Sequence, residues 1–234
     1  ETRRCVSRTL ALDPADPLAL AAQAILLVDE APLGFGPSQG NAVPRSIALA
    51  RRAVAADPYS AVAQMALART LGISGNCRVA VRSGQRSIAL DPNNPDLYAA
   101  LGNLLVRCGA PGAEAMVRRA LALDPSPPPS VYSPLVFLAL ERGDWAAARA
   151  AAADMPPWPN ATRPLPDIIL AAVATAEGDR AKARRIWAGI EARNPAVARD
   201  PDKAFQEWGL SDRFRLKVLD YLRSAGLIGA APPR

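Results

Sequence analysis

Residues 61–125 read AVAQMALARTLGISGNCRVAVRSGQRSIALDPNNPDLYAALGNLLVRCGAPGAEAMVRRALALDP, and they hold two consecutive copies of one pattern. Each copy is an apolar-periodic segment, a glycine, a second segment rich in arginine and alanine, and a stop at Leu-Asp-Pro: Leu90-Asp91-Pro92, then Leu123-Asp124-Pro125. The same stop stands upstream as Leu12-Asp13-Pro14 and, degenerate, as Ala56-Asp57-Pro58. Successive stop prolines are 44, 34 and 33 residues apart. Proline lacks an N–H and cannot continue a helix, so each stop closes a unit. Unit lengths in this range mark stacked helical hairpins, each of which buries its apolar face only against its neighbours.

Aligned on the stop, the best copy reads Tyr98, Leu101-Gly102, Leu105, a turn at Gly109, Ala113, Ala120 and Pro125. A weaker one reads Gln64, Leu67-Ala68, Leu71, Gly75, Ala80, Ile88 and Pro92. Two later copies show at their turns, Gly143-Asp144-Trp145 with Ala148, and Gly178-Asp179 with Ala183, Trp187 and Asn194-Pro195. This pattern resembles the tetratricopeptide repeat family. The resemblance implies an all-α chain, an α-α superhelix or solenoid of about five hairpins with a C-terminal capping helix pair. The expected organisation is a single domain over 1–234. It comprises a half repeat at 1–14, a repeat at 17–58 with an insertion at 31–41, repeats at 61–92, 95–125, 129–156 and 164–195, and a cap at 199–228.

Composition fits thin helices packed side by side: 50% hydrophobic residues but only 5% aromatic. The net charge is +6, and with only Lys182, Lys203 and Lys217 as lysines the excess is arginine. Histidine is absent, which removes the usual general base, the Ser-His and Cys-His pairs, and the commonest metal ligand. No catalytic residue, metal site or cofactor is expected, and the chain is read as a non-enzyme. It contains no unbroken apolar run of about 18 residues, the length a membrane helix needs. Because Arg3–Leu12 already reads as the second helix of a repeat, the sequence is expected to start inside a larger protein. Any membrane association is then expected only through a missing N-terminal part.

The tail departs from the repeat. Residues 202–208 and 211–225 read as two helices, the second with Phe214, Val218, Leu219 and Leu222 on one side and stopped at Gly226. These residues, placed as a cap, are expected against the last hairpin around Trp187 and Ile190. The ending Phe205, Trp208, Leu219 and Leu222-Arg223-Ser224-Ala225-Gly226-Leu227 resembles that of tetratricopeptide regions in bacterial signalling proteins, fused to a class III adenylate cyclase or a winged-helix regulator. That resemblance implies a sensory or regulatory protein- or peptide-binding module in signal transduction. The alternative is a structural scaffold for envelope assembly or polysaccharide export.

In the family's geometry the first helix of each pair lines a groove and the second forms the back. The groove candidates are then Met65, Arg69, Asn103, Arg107 and Phe137, with Arg69, Asn103 and Arg107 as a polar spot suited to a carboxylate or a peptide backbone. The family's carboxylate clamp needs lysine where Met65 and Ala99 stand, so a chaperone-tail ligand is not expected. Arginines stripe the second helices, with Arg78, Arg82 and Arg86 at intervals of four and the pairs Arg51-Arg52, Arg118-Arg119 and Arg184-Arg185. The alternatives there are a nucleic-acid or anionic-lipid surface, but no stacking aromatics interleave with the arginines, so a solvated face is expected and no nucleic acid. Cys77 begins one second helix and Cys108 ends the next first helix; the implied stacking makes these helices antiparallel neighbours and brings the two sulfurs together. A Cys77–Cys108 disulfide would place the chain in an oxidising compartment, most simply the periplasm. The alternative is two buried thiols in a cytoplasmic protein.

Overall fold

A computed structural model describes residues 2–30, 41–154, 164–207 and 212–229. Most of the insertion at 31–41, the connector around Trp158, and Trp208 lie outside the described residues. Chain contacts divide the protein into two compact units, Glu1–Pro127 and Pro128–Arg234.

The first unit consists of α1 (Thr2–Leu12), α2 (Pro17–Glu30), α3 (Ala42–Ala56), α4 (Ala61–Ile73), α5 (Cys77–Leu90), α6 (Pro95–Arg107) and α7 (Ala113–Leu123). Local chemistry sets the boundaries. The Ser60 hydroxyl accepts from the Ala63 N–H at the start of α4, and Asn94 Oδ1 accepts from the Asp96 N–H beside Pro95 in the first turn of α6. At the stops, the Asp57, Asp91 and Asp124 N–H groups close the last turns on Ala53, Ser87 and Ala120, and the following proline ends the ladder.

Helices α2, α4 and α6 touch in succession, α2 on α4 and α4 on α6, to form one row. The second helices α3, α5 and α7 pack on their own hairpin partners, and α3 and α5 also meet the first helix that follows. A core of Leu20, Ala21, Ala24, Ala50, Ala53, Ala63 and Ala66 joins α2, α3 and α4. Small residues make the close approach: a Cβ on Gly102 would stand 2.6 Å from Val117 Cγ2 of the partner helix, and one on Gly84 2.7 Å from Leu101 Cδ1. Ser87, fully buried, donates its hydroxyl proton to the Ala61 carbonyl at 2.7 Å and ties α5 to the first turn of α4.

The second unit opens with a single 3-10 turn at Pro129–Val131 and continues through α8 (Ser133–Arg142), α9 (Trp145–Ala153), α10 (Leu165–Ala176), α11 (Arg180–Arg193), α12 (Pro195–Arg199), α13 (Pro201–Glu207) and α14 (Asp212–Ser224). The α8–α9 turn needs Gly143 in the left-handed region, φ 76°, a conformation costly for other L-residues. Asp144 and Asp179 then cap α9 and α11 by accepting from the N–H groups of Ala147 and Lys182. The tail contains both expected helices and, before them, the short α12.

Helix α14 packs on α10, the first helix of the last hairpin, where the cap is expected, and also on α8 of the hairpin before it. Val218, Leu219 and Leu222 are buried in one cluster with Val136, Ile168, Ile169 and Ala172, which also includes Trp187 and Ile190. Burial of side chains of this size contributes roughly 2 kcal/mol each. The side chain of Phe214 is outside the described set. Lys217 fixes the contact: its ammonium donates to the Leu140 carbonyl at 2.6 Å, at the C-terminal end of α8, and lies 5.9 Å from the centre of the Trp145 ring. Trp145 meets Tyr221 edge-on with ring centres 4.3 Å apart.

Candidate functional site

Met65 and Arg69 lie one turn apart on α4, and Ala99, Asn103 and Arg107 are spaced likewise on α6, so each set shares a helix face. Because α4 and α6 are adjacent, the two arginines come into electrostatic range of each other. Desolvation, and then the Arg69 charge, hold the Arg107 guanidinium below its usual range, although Arg107 keeps solvent-exposed surface. Like charges held in proximity make a local positive potential that favours an anion. Asn103 is exposed, and its amide donates to the Ala99 carbonyl at 3.0 Å, within its own helix.

Two of the expected groove residues have a different setting. Met65 is buried, 4% exposed, and lies beneath the row's surface with little of itself to offer a ligand. The neighbouring helices come close enough to cover a flexible side chain that helical spacing alone places outward. Phe137 belongs to the second unit and packs, half-buried, against that unit's core.

Cys77 and Cys108 form a disulfide with Cα atoms 5.6 Å apart, and Cys5 is free and exposed. The bridge joins the first residue of α5 to the residue that follows α6, next to Arg107. In the second unit, Arg215 on α14 pairs with Asp202 on α13 and Asp212 on α14, and the hydrogen bond to Asp202 is the main reason its guanidinium is held above its usual range. The contact of α14 with α8, outside the last hairpin, was not legible in the sequence beyond the amphipathic spacing of Val218, Leu219 and Leu222. Among the described residues no group of three or more His, Cys, Asp or Glu side chains is arranged to hold a metal, and no helix is long and apolar enough to cross a membrane.

No family model matches the sequence, and neither does any curated protein. Solved structures do match. PilF of Pseudomonas aeruginosa is 19% identical with a TM-score of 0.59, covering 87% of this chain and 85% of that one. YrrB, described as a tetratricopeptide-repeat protein with an unusual peptide-binding site, is 16% identical with a TM-score of 0.52 over 88% and 98% of the two chains. A tetratricopeptide-repeat protein of Thermus thermophilus is 18% identical with a TM-score of 0.59 over 86% and 97%. The fold is that of tetratricopeptide-repeat proteins. At these identities the likeness defines architecture, the all-α solenoid of stacked hairpins; the ligand has to be argued from this chain's own side chains.

Proposed function

We propose that the chain is a non-catalytic protein- or peptide-binding module, and that the first-helix row of its first unit takes an acidic segment or a C-terminal carboxylate at Arg69 and Arg107. The juxtaposition of these two guanidinium groups on adjacent first helices carries the reading. Arginines from two adjacent helices can meet a carboxylate with paired N–H donors, and Asn103, one turn from Arg107, adds a side-chain amide to the same face of α6. The peptide-binding site named for the similar YrrB supports a role of this kind for such a scaffold. In the second unit the first helices α8 and α10 are already in contact with α14, which directs attention to the first unit.

The module serves as the sensory or regulatory part of a bacterial signal-transduction protein, a reading that rests on the resemblance of the tail. The Cys77–Cys108 bridge supports a periplasmic setting, since such bonds persist in oxidising compartments.

The test compares wild type with Arg69→Ala/Arg107→Ala in binding to synthetic peptides rich in aspartate and glutamate, with free and with amidated C-termini. Partner capture from a periplasmic extract forms a second arm. Loss of two charge-assisted contacts should weaken peptide binding by more than about tenfold while the melting temperature holds. Equal affinity of both proteins for every acidic peptide, with equal recovery of partners, would remove the site.

A further inference from the structure

The exposed strip of the first-helix row changes character from one end to the other. On α4, Val62, Arg69 and Ile73 share a face, Val62 standing about two turns before Arg69. On α6 the corresponding face carries Asp96, Ala100, Asn103 and Arg107. Ser87 of α5 bonds back to Ala61 at the start of α4, and the Cys77–Cys108 bridge joins the start of α5 to the end of α6. Both neighbours of α5 are therefore antiparallel to it, and α4 and α6 run parallel with their starts side by side. One end of the row holds Val62, 39% exposed, and the exposed Asp96; the other holds Arg69 and Arg107. Between the two ends the side chains are low, with Met65 and Ala66 buried and Ala100 half-buried. The exposure of Val62 is not an effect of chain ends, since α2 and α6 flank α4 on both sides. An aspartate in a first turn complements the helix dipole wherever it occurs; here it also sets a negative charge at the far end of a track from two positive ones.

The dimensions of that track follow from helix rise. Arg69 to Val62 along α4 spans roughly 10 Å, and Arg107 to Asp96 along α6 roughly 16 Å. An extended chain covers these spans in about three and about five residues. We propose that the row takes an extended peptide of mixed charge: a C-terminal carboxylate at Arg69 and Arg107, an apolar side chain on Val62 about three residues before it, and a Lys or Arg at Asp96 about five residues before it. This rests on the reading of Arg69 and Arg107 as the carboxylate site, and it gives the ligand a direction and a register. A uniformly acidic segment would meet like charge at Asp96, so charge complementarity along the track favours the mixed peptide.

Fluorescence anisotropy at low salt with the oxidised full chain tests the register. The probes are dye-labelled eight-residue peptides with a free C-terminal carboxylate, Leu three residues before the end and Lys five before it. Replacing that Lys by Gln should weaken binding about threefold, and Asp96→Asn should cost the Lys peptide the same factor while leaving the Gln peptide unchanged. Asp96→Lys should reverse the preference in favour of a peptide with Glu at that place. Val62→Ser should weaken the Leu peptide about threefold and spare one with Ser in place of Leu. Circular dichroism confirms that each variant is folded. If all peptides bind alike and Arg69→Ala/Arg107→Ala weakens each of them equally, the carboxylate site stands and the register falls. If the arginine variant binds as the wild type does, or no peptide binds, both fall. An equal effect of Asp96→Asn on the Lys and Gln peptides would reduce Asp96 to a helix-start residue and overturn the proposal.

Discussion

Reduction of the Cys77–Cys108 bridge should destabilise the first unit by an amount that follows from chain length. The two cysteines are 31 residues apart. On the chain-entropy relation, opening a loop of that size returns about 12 cal/mol/K to the unfolded ensemble, or about 3.7 kcal/mol at room temperature. That is a large share of the 5–15 kcal/mol typical of a folded domain. The bridge also spans α5 and α6, so its loss acts on the junction of two hairpins. Tryptophan fluorescence will not see the effect, because Trp145, Trp158, Trp187 and Trp208 all lie beyond Pro127. Hydrogen exchange of peptides from α4 to α6, followed by mass spectrometry, is the appropriate assay. With reductant, amides that exchange only through unfolding of this unit should open several hundredfold more often. The variant Cys77→Ala/Cys108→Ala should start from the destabilised level and ignore reductant. Unchanged exchange in a chain shown by mass to be reduced would refute the reasoning, as would native protein in which both thiols alkylate without reduction.

Two substitutions probe the packing. Gly102→Ala places a methyl 2.6 Å from Val117 Cγ2 and near the Ala113 carbonyl, so it should cost roughly 1–3 kcal/mol; Val117→Ala in the same chain should recover part of that loss in a denaturation series, and full additivity of the two losses would count against the contact. Leu222→Ala removes a fully buried side chain from the seat of α14 and should cost roughly 2–5 kcal/mol by tryptophan-detected unfolding, whereas a change below about 0.5 kcal/mol would show that α14 does not hold this position.

The sequence made the repeat legible because each stop is local chemistry. An aspartate N–H closing the helix and a proline behind it, as at Asp91-Pro92, need no tertiary context. The Cys77–Cys108 pair was legible for a related reason: once the resemblance made α5 and α6 antiparallel neighbours, first and last residues had to meet. Two things resisted. Helical spacing shows that Val218, Leu219 and Leu222 share a face and the cap pattern seats that face on the last hairpin, but neither says that α8 of the hairpin before receives it as well. Likewise, periodicity gives the direction in which Met65 points without saying how closely α4 is covered, and alanines at Ala63 and Ala66 bring the neighbouring helices in.

A column of hairpins behaves mechanically like a spring, each junction flexing a little, so that curvature fluctuates and side chains on successive turns drift relative to one another. The covalent clasp between the start of α5 and the end of α6 immobilises one such joint at its rim. Arg107 is the residue next to that clasp, and Arg69 sits on the helix whose hairpin the clasp holds. On the proposed reading of this pair as a carboxylate site, the clasp narrows the spread of distances between the two guanidinium groups before capture, and removes part of the ordering entropy that a looser coil would lose. In a reducing environment the same coil would be a softer spring, with a wider spread of distances between the two charges.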